Sequence, residues 1–131
     1  MVLIIGGAYQ GKLAYALERF NLTEDDIYRC GDENTNSPES KKIIYEIDKW
    51  IFAMIKANMI RADFDLEKAI MQFAGINQEA IVICNDISCG VVPVDPVMRQ
   101  WRESVGRSLA IFSQKSDEVI RLFCGIPSRL K

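Results

Sequence analysis

Apolar residues along the chain alternate between short continuous runs and longer stretches with helical spacing. Runs rich in apolar residues occur at 2–5, 27–30, 41–45, 80–84 and 119–124, and such runs are typical of strands in a mainly parallel sheet. Apolar residues spaced three or four apart follow at 12–20, 47–59, 63–75 and 96–112, which predicts helices. This alternation predicts an α/β fold with three layers, α/β/α, in which residues 1–131 form a single domain.

The helical spacing also predicts which side chains are buried. In the first helix we expect four residues on the face that packs on the sheet: Leu13, Ala14, Leu17 and Phe20. The later helices are expected to bury stripes that include Trp50, Met54 and Met59, then Ile70, Met71 and Phe73, and finally Met98, Trp101, Val105, Leu109 and Phe112.

Residues with capping propensity predict where the helices begin and end. Asp63 is the expected N-cap of the third helix, and Gly75 is its expected end. Asp95 and Pro96 are suited to the N-cap and first position of the fourth and longest helix. After the last predicted strand, residues 125–127 (Gly-Ile-Pro) are expected to turn the chain away from the sheet.

A polar segment, residues 31–40, is rich in Asn, Asp and Ser and contains Pro38. This composition predicts an exposed loop. Its acidic residues, Asp32 and Glu33, either approach a metal ion or remain solvated on the loop.

Composition limits the classes of function. Hydrophobic residues make up 49% of the 131 residues, which is typical of a globular protein. The net charge of -2 and the scattered Lys and Arg residues predict no nucleic-acid surface. No apolar run is long enough to span a membrane, and the chain starts with a predicted core strand rather than a signal peptide. We therefore expect a cytoplasmic protein without nucleic-acid or membrane partners.

The chain has four cysteines and no histidine. The cysteines form no C-x-x-C pair, and the lack of histidine excludes a mixed Cys/His zinc site. We expect buried, reduced thiols, with a disulfide or a metal role as the alternatives.

The strongest motif follows the first predicted strand. Residues 6–12 have the spacing G-x-x-x-x-G-K of a phosphate-binding loop, and a predicted helix begins directly afterwards. Backbone N–H groups in such a loop surround phosphate oxygens, and Lys12 supplies a cation. The Ser or Thr that normally follows the lysine and holds Mg²⁺ is Leu13 here. The alternative to a phosphate-binding loop is a glycine turn that joins the strand to the helix and binds no ligand.

A second candidate site residue is Asp86, which follows the apolar run 80–84. Ligands of open α/β sheets bind at the carboxyl ends of the strands, so Asp86 and residues 6–12 are expected to face one crevice. There Asp86 either holds a metal ion or remains a solvated turn residue.

Two separated blocks resemble the adenosylcobinamide kinase/adenosylcobinamide-phosphate guanylyltransferase family. Residues 6–12 are similar to the family's G-G-A-x-x-G-K-S loop, and residues 85–93 (NDISCGVVP) are similar to its N-E-V-G-x-G-I-V-P block. Arg99, the Trp101-Arg102 pair and the closing residues 125–131 extend the second block.

This resemblance implies a P-loop fold and a role in vitamin B12 assembly, with GTP or ATP and Mg²⁺ as cofactors and adenosylcobinamide as the acceptor. It implies that the residues of the loop bind nucleotide: Gly6, Gly7, Ala8, Tyr9, Gln10, Gly11, Lys12 and Leu13. Lys12 and Asp86 take the catalytic roles, and Asp86 stands where the family has Glu, as a metal ligand or hydroxyl-orienting residue. The family also suggests a trimer or another homo-oligomer.

Departures from the family leave two functions open. Guanylyl transfer in the family passes through a histidine, which this chain lacks, and Leu13 removes a metal ligand. The chain is therefore either a cobinamide kinase-type phosphotransferase or a nucleotide- or cobinamide-binding homologue without catalysis. The sequence does not choose between GTP and ATP.

Overall fold

A single sheet forms the central layer of the computed structural model, which describes residues 1–38, 41–59, 61 and 63–131. The described strands are β1 (Val2–Gly6), β2 (Ile27–Arg29), β3 (Ile43–Tyr45), β4 (Ile81–Asn85), β5 (Glu118–Phe123) and β6 (Ile126–Arg129). They form one sheet in the order β2-β3-β4-β1-β5-β6. All neighbours are parallel except β5 and β6, so the predicted α/β fold with a mainly parallel sheet is confirmed.

Helices cover both faces of this sheet. They are α1 (Lys12–Phe20), α2 (Ile47–Asn58), α3 (Leu66–Ile76) and α4 (Pro96–Lys115), and a short 3₁₀ helix, Glu24–Asp26, precedes β2. Leu3 and Ile4 of β1 are both fully buried, but they pack into different clusters because successive strand residues point to opposite faces. Ile4 packs in the cluster that α1 covers, and Leu3 packs in the larger cluster beneath α2, α3 and α4.

The predicted bounds of α1 are confirmed, but its buried face is rotated. Ala14 is exposed, whereas Lys12 and Ala16 are buried. Leu13, Leu17 and Phe20 are only partly buried against the sheet. Lys12 and Ala16 lie four residues apart on one face of the helix, and the loop before α1 turns this face inward.

The predicted ends of α3 are wrong at both sides. The N-cap is Asp65 rather than Asp63, because the Asp65 carboxylate accepts a hydrogen bond from the backbone N–H of Lys68 at 3.1 Å. Gly75 lies inside the helix, which continues to Ile76. By contrast, Asp95 caps α4 through the N–H of Met98 at 2.9 Å, with Pro96 at the first helical position, as predicted.

Two methionines that we placed on buried stripes are exposed. Met59 follows the last residue of α2 and is 58% exposed, and Met71 is 51% exposed on α3. Met71 directly follows the buried Ile70, so it lies about 100° around the helix and outside the packed face.

The C-terminal residues form a hairpin instead of turning away. Ile126–Arg129 pairs antiparallel with β5 as the edge strand β6. Cys124 and Gly125 have φ values of 51° and 75°, and two successive left-handed residues are the requirement of a tight two-residue hairpin turn. The edge position explains why Pro127, which has no N–H to donate, is tolerated in a strand.

The prediction of an exposed polar loop at residues 31–40 is confirmed in part. Residues 31–37 are exposed as predicted, Pro38 is buried, and Glu39 and Ser40 of the predicted loop lie outside the described residues.

All four cysteine thiols are free, but only Cys30 and Cys84 are buried. Cys89 and Cys124 are exposed because both lie in connections beyond the ends of strands. No helix of the described ranges is long and apolar enough to cross a membrane.

Candidate functional site

A cleft of about 410 Å³ opens at the carboxyl edge of the sheet. Because β1, β3 and β4 are parallel, the segments that follow them meet at this edge. The connection from β1 to α1 forms one wall, and residues from the ends of β3 and β4 form the other. The lining residues, which we call the phosphate-loop cleft, are residues 8–14 with Tyr45, Glu46 and Asn85.

Two glycines make the sharp entry into α1 possible. A Cβ atom on Gly6 would lie 2.5 Å from the backbone oxygen of Leu122 on β5, so no larger residue fits there. Gly11 is the N-cap of α1 with φ 80° and ψ 16°, a left-handed conformation that favours glycine. The first turn of a helix leaves N–H groups without partners inside the helix, and here this turn lines the cleft.

Lys12 is the central charged residue of the cleft. It is only 4% exposed, and its Nζ donates to the carbonyl oxygen of Gly7 at 2.6 Å. Burial lowers the pKa of the Lys12 ammonium below its ordinary value. Nearby acidic groups oppose this shift when they are ionised: Asp48 most, then Cys84 and Glu46.

The loop is anchored to the far hairpin as well as to α1. The side-chain oxygen of Gln10 accepts a hydrogen bond from the backbone N–H of Cys124 in the turn between β5 and β6. Tyr9 has φ 59° and its side chain is fully exposed. A non-glycine residue in this conformation is uncommon, and such strain is concentrated at functional sites.

Asp86 lies beside the cleft rather than in its lining. Its backbone N–H donates to the Gly6 carbonyl at 2.9 Å, but its carboxylate accepts hydrogen bonds from Ser88 Oγ at 2.6 Å and Cys89 Sγ at 3.3 Å. Burial alone would raise the pKa of Asp86, but these hydrogen bonds outweigh it and the pKa is lowered. The preceding residue, Asn85, lines the cleft instead.

Two acidic residues near the cleft are absent from our sequence prediction. Glu46 directly follows β3 with φ 60° and ψ 49°, and it accepts a hydrogen bond from Lys49 Nζ at 2.7 Å. The signal that identified Asp86, an acid at the end of an apolar strand, would have found Glu46 too. Asp48 carries no such signal, because it lies in the first turn of α2 and is 2% exposed.

The residues present fit a protein-held magnesium ion poorly. Leu13 lines the cleft with hydrocarbon where a hydroxyl would bind the metal, and the carboxylate of Asp86 is already engaged by its neighbours. Within residues 1–38, 41–59, 61 and 63–131 there is no group of three side chains placed to bind a metal ion. Asp32 and Glu33 remain exposed on their loop.

Comparison with known proteins identifies one family. The family model described as cobinamide kinase / cobinamide phosphate guanyltransferase matches residues 33–130. The match includes residues 85–93 and α4, whereas residues 6–13 precede it. A search of curated proteins gives no match to the chain. The matched segment therefore supports the family resemblance. The interpretation of residues 6–13 as a phosphate-binding loop rests instead on the geometry of the cleft.

Proposed function

The chain belongs to the cobinamide kinase / cobinamide phosphate guanyltransferase family, and from this premise we propose that it is a kinase-type phosphotransferase. In this proposal the phosphate-loop cleft binds GTP or ATP, and the terminal phosphate is transferred to the aminopropanol hydroxyl of adenosylcobinamide. The observation that carries the proposal is Lys12, a buried ammonium at the start of a helix in an open cleft.

In this proposal the backbone N–H groups, Lys12 and Asp86 have separate roles. The N–H groups of the loop and of the first turn of α1 position the triphosphate, and Lys12 neutralises charge on the terminal phosphate. The acceptor oxygen forms a bond to the γ-phosphorus while the bond to the β–γ bridging oxygen breaks, and the nucleoside diphosphate leaves. Asp86, beside the cleft, orients the acceptor hydroxyl and takes its proton. A magnesium ion held by the phosphates of the nucleotide would neutralise part of their charge, with no ligand supplied by Leu13.

The second family activity is not part of this proposal. Guanylyl transfer through a histidine nucleophile has no residue to carry it, because these 131 residues include no histidine.

A second candidate function is a binding protein without catalysis. Two observations favour it: Leu13 offers the cleft no metal ligand, and the Asp86 carboxylate is held by Ser88 and Cys89 instead of facing the cleft. Such a homologue would bind nucleotide or cobinamide and serve a regulatory or interaction role.

The test combines nucleotide binding with phosphate transfer. GTP and ATP are each titrated into the protein by calorimetry, and transfer to adenosylcobinamide with Mg²⁺ is followed by ³¹P NMR. We expect Lys12→Ala to weaken nucleotide binding by about 10- to 100-fold, the value of a charge-assisted hydrogen bond, and to abolish transfer. Lys68→Ala, which removes an exposed lysine of α3, is the matched control and should change neither measurement.

The outcomes separate the two candidates. Transfer that depends on Lys12 supports the kinase. Tight binding without transfer supports the binding homologue. If neither nucleotide binds, or if Lys12→Ala leaves the heats of titration unchanged, both are wrong.

Assembly and location also remain proposals. We propose that the protein is cytoplasmic and that it forms a homo-oligomer. The support for self-association is the edge strand β6, whose four residues are all exposed and whose outer side faces no strand of the described sheet.

A further inference from the structure

Two opposite charges are buried close to the same pair of residues at the carboxyl edge. Gly6 of β1 and Asn85 of β4 are register partners. Lys12 packs on the Gly6 side and is 4% exposed, and Asp48 packs against Asn85 and is 2% exposed. Burying a charge without compensation is costly, so this arrangement requires an explanation.

Asp48 is held in place by three hydrogen bonds. Its carboxylate accepts from the backbone N–H of Asn85 at 3.0 Å and from the side-chain Nδ2 of the same residue at 3.2 Å. Its main-chain carbonyl accepts from the indole of Trp101 on α4 at 2.8 Å. These contacts connect α2, β4 and α4, and they fix the side chain of Asn85 where it lines the cleft.

Among the described groups, Asp48 is the best source of negative charge for Lys12. The ionisable groups that face Lys12 are Asp48, Glu46 and Cys84. Glu46 is already paired with Lys49 at 2.7 Å. The Cys84 thiol is completely buried, which raises its pKa well above the ordinary value and leaves it neutral at physiological pH. Burial also raises the pKa of the Asp48 carboxyl, but the two hydrogen bonds from Asn85 oppose this shift and favour the ionised form. Among the described residues no basic side chain lies within 4.0 Å of the Asp48 carboxylate, Lys12 included, so its charge acts on Lys12 without a direct ion pair.

We infer that Asp48 is a positioning residue of the phosphate-loop cleft. Its carboxylate orients Asn85 and supplies the buried negative charge that keeps the Lys12 ammonium charged before an anionic ligand arrives. This inference rests on the proposed function, because a charged Lys12 matters only if the cleft binds phosphate. The charge comes from the first turn of α2, behind the cleft, so it does not occupy the space in which the ligand binds.

The first experiment measures the protonation of Lys12 in the protein without nucleotide. The Nζ of Lys12 is titrated by NMR in the wild type, in Asp48→Asn and in Glu46→Gln. We expect Asp48→Asn to shift the midpoint of the Lys12 titration to lower pH, because the ammonium loses its compensating charge. Glu46→Gln is the matched control and should shift it less, because Glu46 shares its charge with Lys49. An unchanged midpoint in a folded Asp48→Asn protein overturns the inference.

A reciprocal experiment covers the case in which Asp48→Asn fails to fold. Coupling between two charges acts in both directions, so Lys12→Met should raise the midpoint of the Asp48 carboxyl titration, measured by ¹³C NMR. If this midpoint is the same in Lys12→Met and in the wild type, the two side chains are not coupled and the inference is wrong.

Nucleotide titration across pH then separates a charge role from a structural one. Asp48→Asn should bind GTP or ATP within about twofold of the wild type at pH 6, and progressively more weakly at pH values above the shifted Lys12 midpoint. A merely structural role predicts an equal loss at every pH and contradicts the inference. The two NMR titrations use no nucleotide, so a failure of nucleotide binding would disprove the proposed function without deciding this inference.

Discussion

Two neighbouring regions at the carboxyl edge of the sheet differ in how many hydrogen bonds their basic side chains donate to the protein. In the phosphate-loop cleft, Lys12 donates to a single described oxygen, the Gly7 carbonyl at 2.6 Å. In the segment from 86 to 94, which we call the braced loop, two arginines of α4 donate to backbone carbonyls. Arg102 donates to the Ser88 carbonyl from Nε at 2.9 Å and from Nη2 at 2.6 Å, and Arg99 donates to the Val94 carbonyl at 2.6 Å.

This difference indicates which region is available to an anion. An ammonium has three donors, and Lys12 uses one of them on Gly7. Arg99 and Arg102 use some of their donors on carbonyls of the braced loop, and these hydrogen bonds stabilise the path of the chain.

The braced loop is nevertheless connected to the phosphate loop by hydrogen bonds. Arg102 holds the carbonyl of Ser88, Ser88 Oγ donates to the Asp86 carboxylate at 2.6 Å, and the Asp86 N–H donates to the Gly6 carbonyl. Through this chain of contacts, α4 sets the position of Asp86 beside the phosphate loop.

The largest effect is expected from Gly6→Ala, which should damage the phosphate loop and spare the braced loop. The new methyl group would lie 2.5 Å from the Leu122 carbonyl oxygen, which is a backbone atom of β5 and cannot move aside easily. We expect the free energy of unfolding, measured with urea, to fall by about 1–3 kcal/mol, as for other overpacked sites.

Gly75→Ala is the matched control for Gly6→Ala. Nothing lies within 4 Å of a Cβ at Gly75, and this residue is inside α3. The substitution should raise the free energy of unfolding by about 0.5–1 kcal/mol, the helix-propensity difference between the two residues. A Gly6→Ala protein as stable as the wild type would show that β1 and β5 do not approach as closely as described.

A smaller effect is expected from Arg102→Ala, which breaks the braced loop and leaves the phosphate-loop cleft unchanged. The variant loses two hydrogen bonds to Ser88, but it also removes Nη1, which is buried without a partner among the described residues. We therefore expect a net loss of only about 1 kcal/mol in the free energy of unfolding. Nucleotide affinity measured by calorimetry should change less than about twofold, because Lys12 keeps its surroundings.

Arg107→Ala serves as the control for Arg102→Ala, since Arg107 is an exposed partner of Glu103 at 2.6 Å. Such surface pairs contribute about 0–1 kcal/mol. A tenfold loss of nucleotide affinity in Arg102→Ala would instead place the braced loop in the binding site.

The smallest effect is expected from Leu13→Ser, which sharpens the comparison by testing whether the cleft can hold a metal. The hydroxyl restores the ligand type that a phosphate loop normally places after its lysine. We expect GTP or ATP affinity in Mg²⁺ to rise about threefold, and no gain when the metal is removed with a chelator. Equal affinities with and without Mg²⁺ would mean that the cleft holds no metal at this position.

Much of the fold follows from local patterns in the sequence. The bounds of α1, the cap formed by Asp95 and Pro96, and the apolar run of β4 are set by residues close to one another in the chain. The local pattern does not predict the hairpin at Cys124, because two left-handed residues in succession, only one of them glycine, give a weak turn signal. It also predicts that α3 ends at Gly75, but this glycine is tolerated inside the helix.

The sequence by itself predicted a loop with phosphate-binding spacing after β1, the order of β1 to β5 and of the four helices, and polar residues at the end of the apolar run 80–84, because spacing and composition carry these features. Only the tertiary structure decided which of those polar residues faces the cleft. Asn85 is the last residue of β4 and lines the cleft, whereas Asp86 lies past the strand with its carboxylate bonded to Ser88 and Cys89. The burial of Asp48 also depends on the packing of α2 against β4 and α4. No local pattern contains such information, because it arises from contacts between residues distant in the chain.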